Sequence, residues 1–449
     1  MPTGIARPVS GNPRATFEAD VEALSHDARG IARVEGKVWF IEGALPGERV
    51  TARGLKGRRN YGIAALESID KASARRTTPR CEVFGICGGC ALQHLEYPAQ
   101  LEFKEQVVKD AFIKSRVIDL PHIEHVSAEP WHYRRRARLG VRFVPQKGGV
   151  LVGFRERNKS YVTPLQECPV IAPEVDAVIP FLAPLIEGLS IRDRLPQVEV
   201  AVGEGVAALV FRHLEPLSTA DLEQLHQFAD QHGVQILTQA KGPDTILPLS
   251  PETAQPLEYR LADFDLRMRF TATSFIQVNA AINAALVSKS IDWLTLTPTD
   301  RVLDLFCGLG NFSLAAARRA GTVMGVEGEA ALVSQAQSNA EMNQLENVNF
   351  ECRDLFDESA ASWEPGLFSK VIVDPPRTGA MESLKAVVGN IQPEVIAYVS
   401  CNPATLARDS EYLINQGSYR LTRVAMADMF PHTVHVETLA LFERSEPSG

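Results

Sequence analysis

Arg301-Val302-Leu303-Asp304-Leu305-Phe306-Cys307-Gly308-Leu309-Gly310-Asn311-Phe312 is the stretch that decides how this 449-residue chain folds. Its apolar run reads as a buried strand, and Gly308-x-Gly310 closes it and opens a helix predicted over 312–319. Glycines at that turn let the backbone approach a nucleotide-like ligand with no side chain in the way. The next strand, Thr322-Val323-Met324-Gly325-Val326, ends in Glu327, an acid one βα unit downstream that can accept hydrogen bonds from ribose hydroxyls. Two further apolar runs end in chemistry. Lys370-Val371-Ile372-Val373 runs into Asp374-Pro375-Pro376-Arg377, and Val395-Ile396-Ala397-Tyr398-Val399 into Ser400-Cys401-Asn402-Pro403. Regular αβ alternation from residue 298 onward predicts a doubly wound sheet. Ligands bind such sheets outside the carboxyl ends of the strands, so the thiol of Cys401 is placed for chemistry rather than packing.

The charge pattern narrows the partner. The chain is 45% apolar and 22% charged, an ordinary soluble balance, and its length suggests two to three domains. Its first residues lack the apolar core of an export signal, and no run of about 18 apolar residues occurs, so a cytoplasmic protein without a membrane span is expected. The formal charge is −9, yet residues 49–80 hold nine Lys or Arg against two acids, and residues 131–159 nine against one. Concentrated positive charge on an acidic protein suits phosphate contacts, with a merely solvated face as the alternative. Trp131, His132, Tyr133 and Phe143 lie among the second set of cations and can stack unpaired bases, which favours RNA.

Residues 1–15, rich in Gly, Pro and Ser, are expected to be disordered. From Thr16 to Ile69, short β-type runs (16–21, 38–41, 49–52 and 61–66) alternate with turn signals and predict a small β-barrel. Then comes Cys81-Glu82-Val83-Phe84-Gly85-Ile86-Cys87-Gly88-Gly89-Cys90, a Cys-x5-Cys-x2-Cys cluster whose glycines permit tight wrapping around a metal centre. A fourth thiolate is available at Cys168, followed by proline as recurs at iron–sulfur ligands, while zinc is the competing reading. Seven cysteines in such a chain argue for metal ligation and catalysis rather than disulfides. Residues 95–118 read as an amphipathic helix with Leu101, Val107, Val108, Ala111 and Phe112 on one face, 131–170 as β-rich and 175–265 as mixed helix and strand without chemical motifs. Cys307 and Cys352 lie in apolar strand endings and read as core.

Taken together, the Gly-x-Gly turn with Glu327, Asp-Pro-Pro-Arg at Asp374 and Ser-Cys-Asn-Pro at Cys401 resemble the class I S-adenosylmethionine-dependent methyltransferases. Within them they resemble the RNA uracil-C5 methyltransferases that use a cysteine nucleophile. Arg377 stands where amino-group methyltransferases carry Tyr or Phe, and the Pro-Cys-Ser-Gly motif of RNA cytosine-C5 enzymes is absent. The barrel, with His26-Asp27-Ala28-Arg29-Gly30-Ile31-Ala32-Arg33 and Ala44-Leu45-Pro46-Gly47-Glu48, is similar to the TRAM domain, an OB-like RNA-binding module. The cysteine spacing resembles the [4Fe–4S] site of ribosomal members of the family.

That resemblance implies an α/β chain in three parts. They are a TRAM barrel over 12–70, a central α+β iron–sulfur and RNA-binding domain over 71–270, and a Rossmann-like methyltransferase domain over 271–449. It implies methyl transfer from S-adenosylmethionine to carbon 5 of a uridine in 23S ribosomal RNA, with Cys401 adding at carbon 6 and Glu437 taking the carbon 5 proton. His432 and His435 are the rivals of Glu437. Asp374 is to hydrogen-bond the uracil edge, and Arg377 to hold RNA or the developing enolate. Gln277, in the Phe-x-Gln-x-Asn motif at 275–279, is assigned to the cofactor with Phe306, Gly308, Gly310, Asn311, Glu327, Asp354 and Asp374, although Asp354 also reads as a plain loop acid. Cys81, Cys87, Cys90 and Cys168 are the expected cluster ligands, and a monomer with no obligate protein partner follows. The alternatives are another ribosomal or transfer RNA uridine, or a non-catalytic RNA-binding assembly factor.

Overall fold

The computed structural model describes residues 15–356, 364 and 366–445. The disorder expected over 1–15 falls outside them except for Ala15, as do the outer ends of the first and third expected domains. The chain divides into two compact units.

The first unit comprises the chain up to Gly85, Cys90–Phe103 and His432–Val434. Five strands, β1 (Thr16–Leu24), β2 (Arg29–Val34), β3 (Lys37–Glu42), β4 (Arg49–Gly57) and β5 (Tyr61–Lys71), close into a barrel in the order β1-β2-β3-β5-β4. Closure leaves no sheet edge to pair with another chain. Small inward residues, Ala19, Ala32, Ala44, Ala52 and Ala64, pack with Val21, Ile41 and Val50 to fill a narrow interior. The sequence pattern missed β2, because turn signals on both sides of Ile31-Ala32-Arg33 hid a six-residue strand. After β4 and β5 the chain is tied back by Glu48, which is buried, ion-paired with Arg76 at 2.6 Å and bonded by the Leu45 N–H at 2.8 Å.

The second unit holds two large sheets. Its first strand, β6 (Ile123–Val126), joins the later of them. The earlier sheet is built from β7 (Arg136–Val144), β8 (Gly149–Arg155), β9 (Val162–Pro164), β10 (Gln197–Gly203), β11 (Val206–Arg212), β12 (Gln235–Gln239) and β13 (Ile246–Pro248), in the order β13-β12-β11-β10-β7-β8-β9. A hairpin follows, β14 (Leu257–Leu261) with β15 (Leu266–Phe270).

The later sheet takes β16 (Arg301–Leu305), β17 (Thr322–Glu327), β18 (Val348–Cys352), β19 (Lys370–Val373), β20 (Val395–Ser400), β21 (Tyr419–Ala427) and β22 (Glu437–Arg444) in the order β18-β17-β16-β19-β20-β22-β21-β6. The five strands from β18 to β20 are parallel, as the alternation predicts, and β22 is inserted antiparallel between β20 and β21. Helices cover the apolar strands. Ala280–Leu294, capped by the Asn279 side chain, buries Ile282, Leu286, Val287 and Ile291, and the helix after the glycine turn is Ser313–Ala317, shorter than predicted.

The predicted amphipathic helix forms as Tyr97–Lys114, but its buried stripe in this unit is Lys104, Val108 and Phe112, spaced four apart. Lys104 is fully buried, paired with Asp428 and donating to the Phe430 carbonyl at 2.9 Å. A cation on the apolar stripe is invisible to a periodicity argument, which counts it as surface.

Candidate active site

The glycine turn owes its shape to three left-handed residues, Phe306 (φ 64°), Gly308 (φ 56°) and Gly310 (φ 94°). A side chain at Gly310 would also run into Leu314, so glycine is required there for two reasons. Glu327 at the end of β17 clamps the turn from the next strand: one carboxylate oxygen accepts from the Gly308 N–H at 3.1 Å, the other from the N–H groups of Gly328 (2.7 Å) and Glu329 (3.2 Å). Beneath it Asp304 is fully buried, and burial pushes its carboxyl up to about 7, with the Ser313 hydroxyl bond opposing and the Asp374 charge adding to the shift.

Around this turn lies a cavity of about 650 Å³. Gln277, Phe306, Gly308, Asn311, Glu327, Asp354, Asp374, Cys401 and Glu437 all line it, while Gly310 shapes the turn from behind. One network holds its floor, and sequence reasoning missed it. Arg135 donates to the Gln277 carbonyl (2.8 Å) and lies over the Tyr259 ring at 4.4 Å. The Tyr259 hydroxyl donates to Asn311 (2.8 Å), and Asn311 and Asn283 exchange amide hydrogen bonds at 3.0 and 3.2 Å. Asp354 accepts from the Phe356 N–H at 2.9 Å, so its loop-acid reading describes part of what it does. The rings of Phe306 and Phe356 lie 5.6 Å apart, giving the cavity an aromatic wall.

Cys401 and Glu437 meet through sheet register. Ser400 on β20 is opposite Thr438 on β22, so the next position outward on each strand is Cys401 and Glu437. Asp374 comes from β19 on the other side of β20, its N–H bonded to the Leu305 carbonyl at 3.2 Å. The Arg377 carbonyl accepts from Asn402 at 2.9 Å and Thr405 at 3.3 Å, which ties the Asp-Pro-Pro-Arg loop to the Ser-Cys-Asn-Pro loop. Burial, then the charges of Glu437 and Asp374, push the Cys401 thiol up to about 11 against the opposing pull of Arg377. A nearby cation favours a thiolate, but here burial and the carboxylates outweigh Arg377. Glu437 is buried and held well above the carboxylate range by burial and by Asp374, and burial raises Asp374 to about 7. His435 also lines the cavity, and burial followed by the charges of Arg377, Lys104 and Arg134 lowers its pKa. His432 is in the first unit and is not among the cavity's lining residues.

One cysteine reading changes. Cys352 is exposed rather than core, because β18 is an edge strand and the residue is its last. Cys307 is buried as expected. Of the four expected cluster ligands, Cys81 and Cys90 belong to the first unit, and Cys87 and Cys168 are buried in the second. Among the described residues no group of three or more His, Cys, Asp or Glu side chains forms an arrangement that could hold a metal ion, so the expected cluster is not borne out by the structure.

Five parallel strands, a glycine turn over a strand-end acid and an antiparallel β22 define the class, an S-adenosylmethionine-dependent methyltransferase. The family model described as tRNA (Uracil-5-)-methyltransferase matches residues 96–445, and the TRAM domain model matches 12–66. The chain belongs to that methyltransferase family. It is similar to the 23S rRNA (uracil(1939)-C(5))-methyltransferase RlmD of Azoarcus sp. (strain BH72), 50% identical over 430 residues covering 95% of this chain and 99% of the relative. The protein of the same name from Aromatoleum aromaticum is 47% identical over 95% of this chain and 99% of its own. In fold it is similar to the Pyrococcus abyssi tRNA (uracil-54, C5)-methyltransferase in complex with S-adenosyl-L-homocysteine, with a TM-score of 0.74 and 24% identity over 95% of this chain and 100% of that one.

Proposed function

We propose that this protein methylates carbon 5 of a uridine in 23S ribosomal RNA through a covalent cysteine adduct, acting in the cytoplasm. The observation that carries the reading is the pairing of Cys401 with Glu437 at adjacent strand ends, beside Asp374 and next to the glycine turn. The RNA assignment rests on the names of the relatives and on the TRAM match.

Carbon 5 of uracil is a poor nucleophile. The Cys401 thiol loses its proton to solvent and the thiolate forms a bond to carbon 6, pushing the electron pair of the carbon 5–carbon 6 double bond towards the carbon 4 oxygen. Asp374, raised by burial to about 7 and so partly protonated at neutral pH, can donate to the uracil edge as that charge develops. Carbon 5 then takes the methyl group, the sulfonium–methyl bond breaks, and S-adenosylhomocysteine leaves. Glu437 removes the carbon 5 proton; that electron pair restores the ring double bond and expels the thiolate. Burial raises this carboxyl above the ordinary carboxylate range, which makes its ionised form a stronger base for the step. The uridine must be flipped or unpaired to admit a thiol on one face and a methyl donor on the other. Cofactor contacts are assigned to Gln277, Phe306, Gly308, Gly310, Asn311, Glu327, Asp354 and Asp374.

Cys81, Cys87, Cys90 and Cys168 are proposed to hold one [4Fe–4S] cluster, on the support of their spacing and of the absence of all four from the lining of the methyl-transfer cavity. No step of the mechanism runs through it. Anaerobically purified protein should contain sulfide and about four irons per chain; stoichiometric zinc without iron refutes the cluster.

The mechanism is tested with Glu437→Gln, radiolabelled cofactor and 23S ribosomal RNA on a denaturing gel. A labelled protein–RNA band that disappears in the double variant with Cys401→Ala supports both roles. Full turnover by Glu437→Gln transfers the base role to a histidine.

A further inference from the structure

A second cavity, of about 1020 Å³, opens on the seven-stranded sheet of the second unit and shares no lining residue with the methyl-transfer cavity. Five cationic side chains line it, Arg138, Arg142, Arg155, Arg157 and Lys159, against the single carboxylate of Glu156, which is paired with Lys159 at 3.1 Å. We propose that this groove is an anchoring site for the phosphodiester backbone of the RNA, apart from the site that takes the target base. The proposal rests on the RNA reading above and adds to it a place of contact.

The geometry favours a strand of nucleic acid over a single phosphate. Arg138 and Arg142 lie four apart on β7, so they project from one face of the sheet roughly 13 Å apart along the strand. One phosphate group cannot bridge that distance, whereas consecutive phosphates of a chain can. Between them on the same face stands Gly140, which also lines the groove and where the Val162 side chain packs close to the position a Cβ would take. The volume is at the upper end of small-ligand pockets, and its lining is charged where those pockets are mostly apolar. Phe154, also in the lining, offers a ring face for an unpaired base.

The opposite wall is built rather than loose. Ile86–Gly89 pairs with the turn that carries Arg155 and Arg157: the Gly88 N–H donates to the Arg155 carbonyl at 2.9 Å, and the Arg157 N–H to the Ile86 carbonyl at 2.8 Å. Cys87 and Glu156 form a bridge between these two donors. Arg138, Arg142, Arg155 and Lys159 are exposed; Arg138 is also paired with Glu199 at 3.1 Å, as Lys159 is with Glu156, and such solvent-exposed pairs are weak enough to be exchanged for phosphates. Arg135 and Arg136, in the same basic segment, are turned inward; Arg136 donates to the Ala272 carbonyl, and burial lowers the pKa of both.

The test is filter binding of an in vitro 23S transcript across roughly 50–200 mM salt. It compares the full-length protein with the triple variant Arg138→Gln, Arg142→Gln, Arg155→Gln and with the corresponding triple lysine variant. Calorimetric titration with S-adenosylhomocysteine reports whether the catalytic domain remains folded. The glutamine variant should lower the magnitude of the log–log salt slope by about 2, at 0.7 to 0.9 per phosphate contact, and raise the KM for RNA at least tenfold. The lysine variant should restore the slope. Should the triple variant lose S-adenosylhomocysteine binding, Arg142→Gln alone replaces it, since the side-chain bond found for Arg142 runs only to the neighbouring Val141 carbonyl. Wild-type protein that methylates the transcript while the glutamine variants keep slope and KM overturns the groove alone. Wild-type protein that neither retains nor methylates the transcript overturns the RNA reading as well.

Discussion

The methyl-transfer cavity and the groove on the earlier sheet are built around ionisable groups of opposite sign and hold them in opposite ways. In the methyl-transfer cavity Asp374 and Glu437, with Asp304 beneath, are buried, and burial drives their carboxyl groups towards neutrality. In the groove on the earlier sheet Arg138, Arg142, Arg155 and Lys159 lie exposed to solvent. Buried charge interacts strongly at short range and is little screened, whereas exposed charge acts over about 10 Å and fades with salt. The first arrangement suits proton transfer at a fixed point, and the second suits capture of a long polyanion. Salt and pH therefore separate the two regions, and the variants below are ordered by how much each should disturb one without the other.

Cys401→Ala should have the largest effect, a loss of methyl transfer on the order of 10⁴-fold or more, the scale of removing a covalent nucleophile. Binding of S-adenosylhomocysteine and of RNA should persist, and so should the salt dependence. Residual turnover within tenfold of wild type, measured by label transfer, would break the assignment and with it the contrast between a chemical cavity and a capturing groove.

Next is Lys104→Met. It leaves Asp428 buried without its cation, and breaking such a pair costs on the order of 3–5 kcal/mol. Because Lys104 also holds the Phe430 carbonyl, and Phe430 lines the cavity, turnover should fall along with stability. Urea denaturation should show the loss at low and high salt alike, and Asp428→Asn in the same chain should recover part of it. A loss that vanishes at high salt would mean that the pair behaves as a surface charge.

Asp304 sharpens the contrast through pH. Its folded-state pKa of about 7 is above the ordinary 3.8, so the folded protein retains a proton that the unfolded chain releases. The resulting stability is full below about pH 4 and is lost as the pH rises to about 7, at roughly 1.4 kcal/mol per pKa unit. In Asp304→Asn that part of the decline should be absent. Parallel pH–stability curves for wild type and variant would remove the claim that this carboxyl is protonated in the fold.

What the sequence made legible follows from locality. Strand ends are local, so the glycine turn, Glu327, Asp374 and Cys401 could be placed from short runs, and the structure collects them at one cavity. Glu437 needed the family pattern, because a carboxylate on an apolar strand reads equally well as facing water. The Arg135–Tyr259–Asn311–Asn283 network was not legible. Its members are separated by up to 176 positions and no periodicity links them. Lys104 was missed because charge is scored as surface, and β6 because four residues at an edge carry no pattern. The basic segment was read as one surface although its arginines divide between interior and groove.

That division gives the smallest effect, and it can be tested on two residues of one segment. Arg135 and Arg142 are seven positions apart and carry the same formal charge, but Arg135 is 5% exposed and braces the Gln277 carbonyl, whereas Arg142 is exposed in the groove. Arg142→Gln should weaken RNA binding a few-fold, reduce the salt slope by about 0.7 to 0.9, and leave thermal stability and S-adenosylhomocysteine affinity as they were. Arg135→Gln removes a part-buried bond to the Gln277 carbonyl and the stacking on Tyr259, so it should cost roughly 1–3 kcal/mol of stability and weaken S-adenosylhomocysteine binding, with little change in the salt slope. The two variants thus exchange readouts. If Arg135→Gln lowered the slope and spared stability, the inward arginine would belong with the groove, and the separation of the two regions would fail at its nearest point.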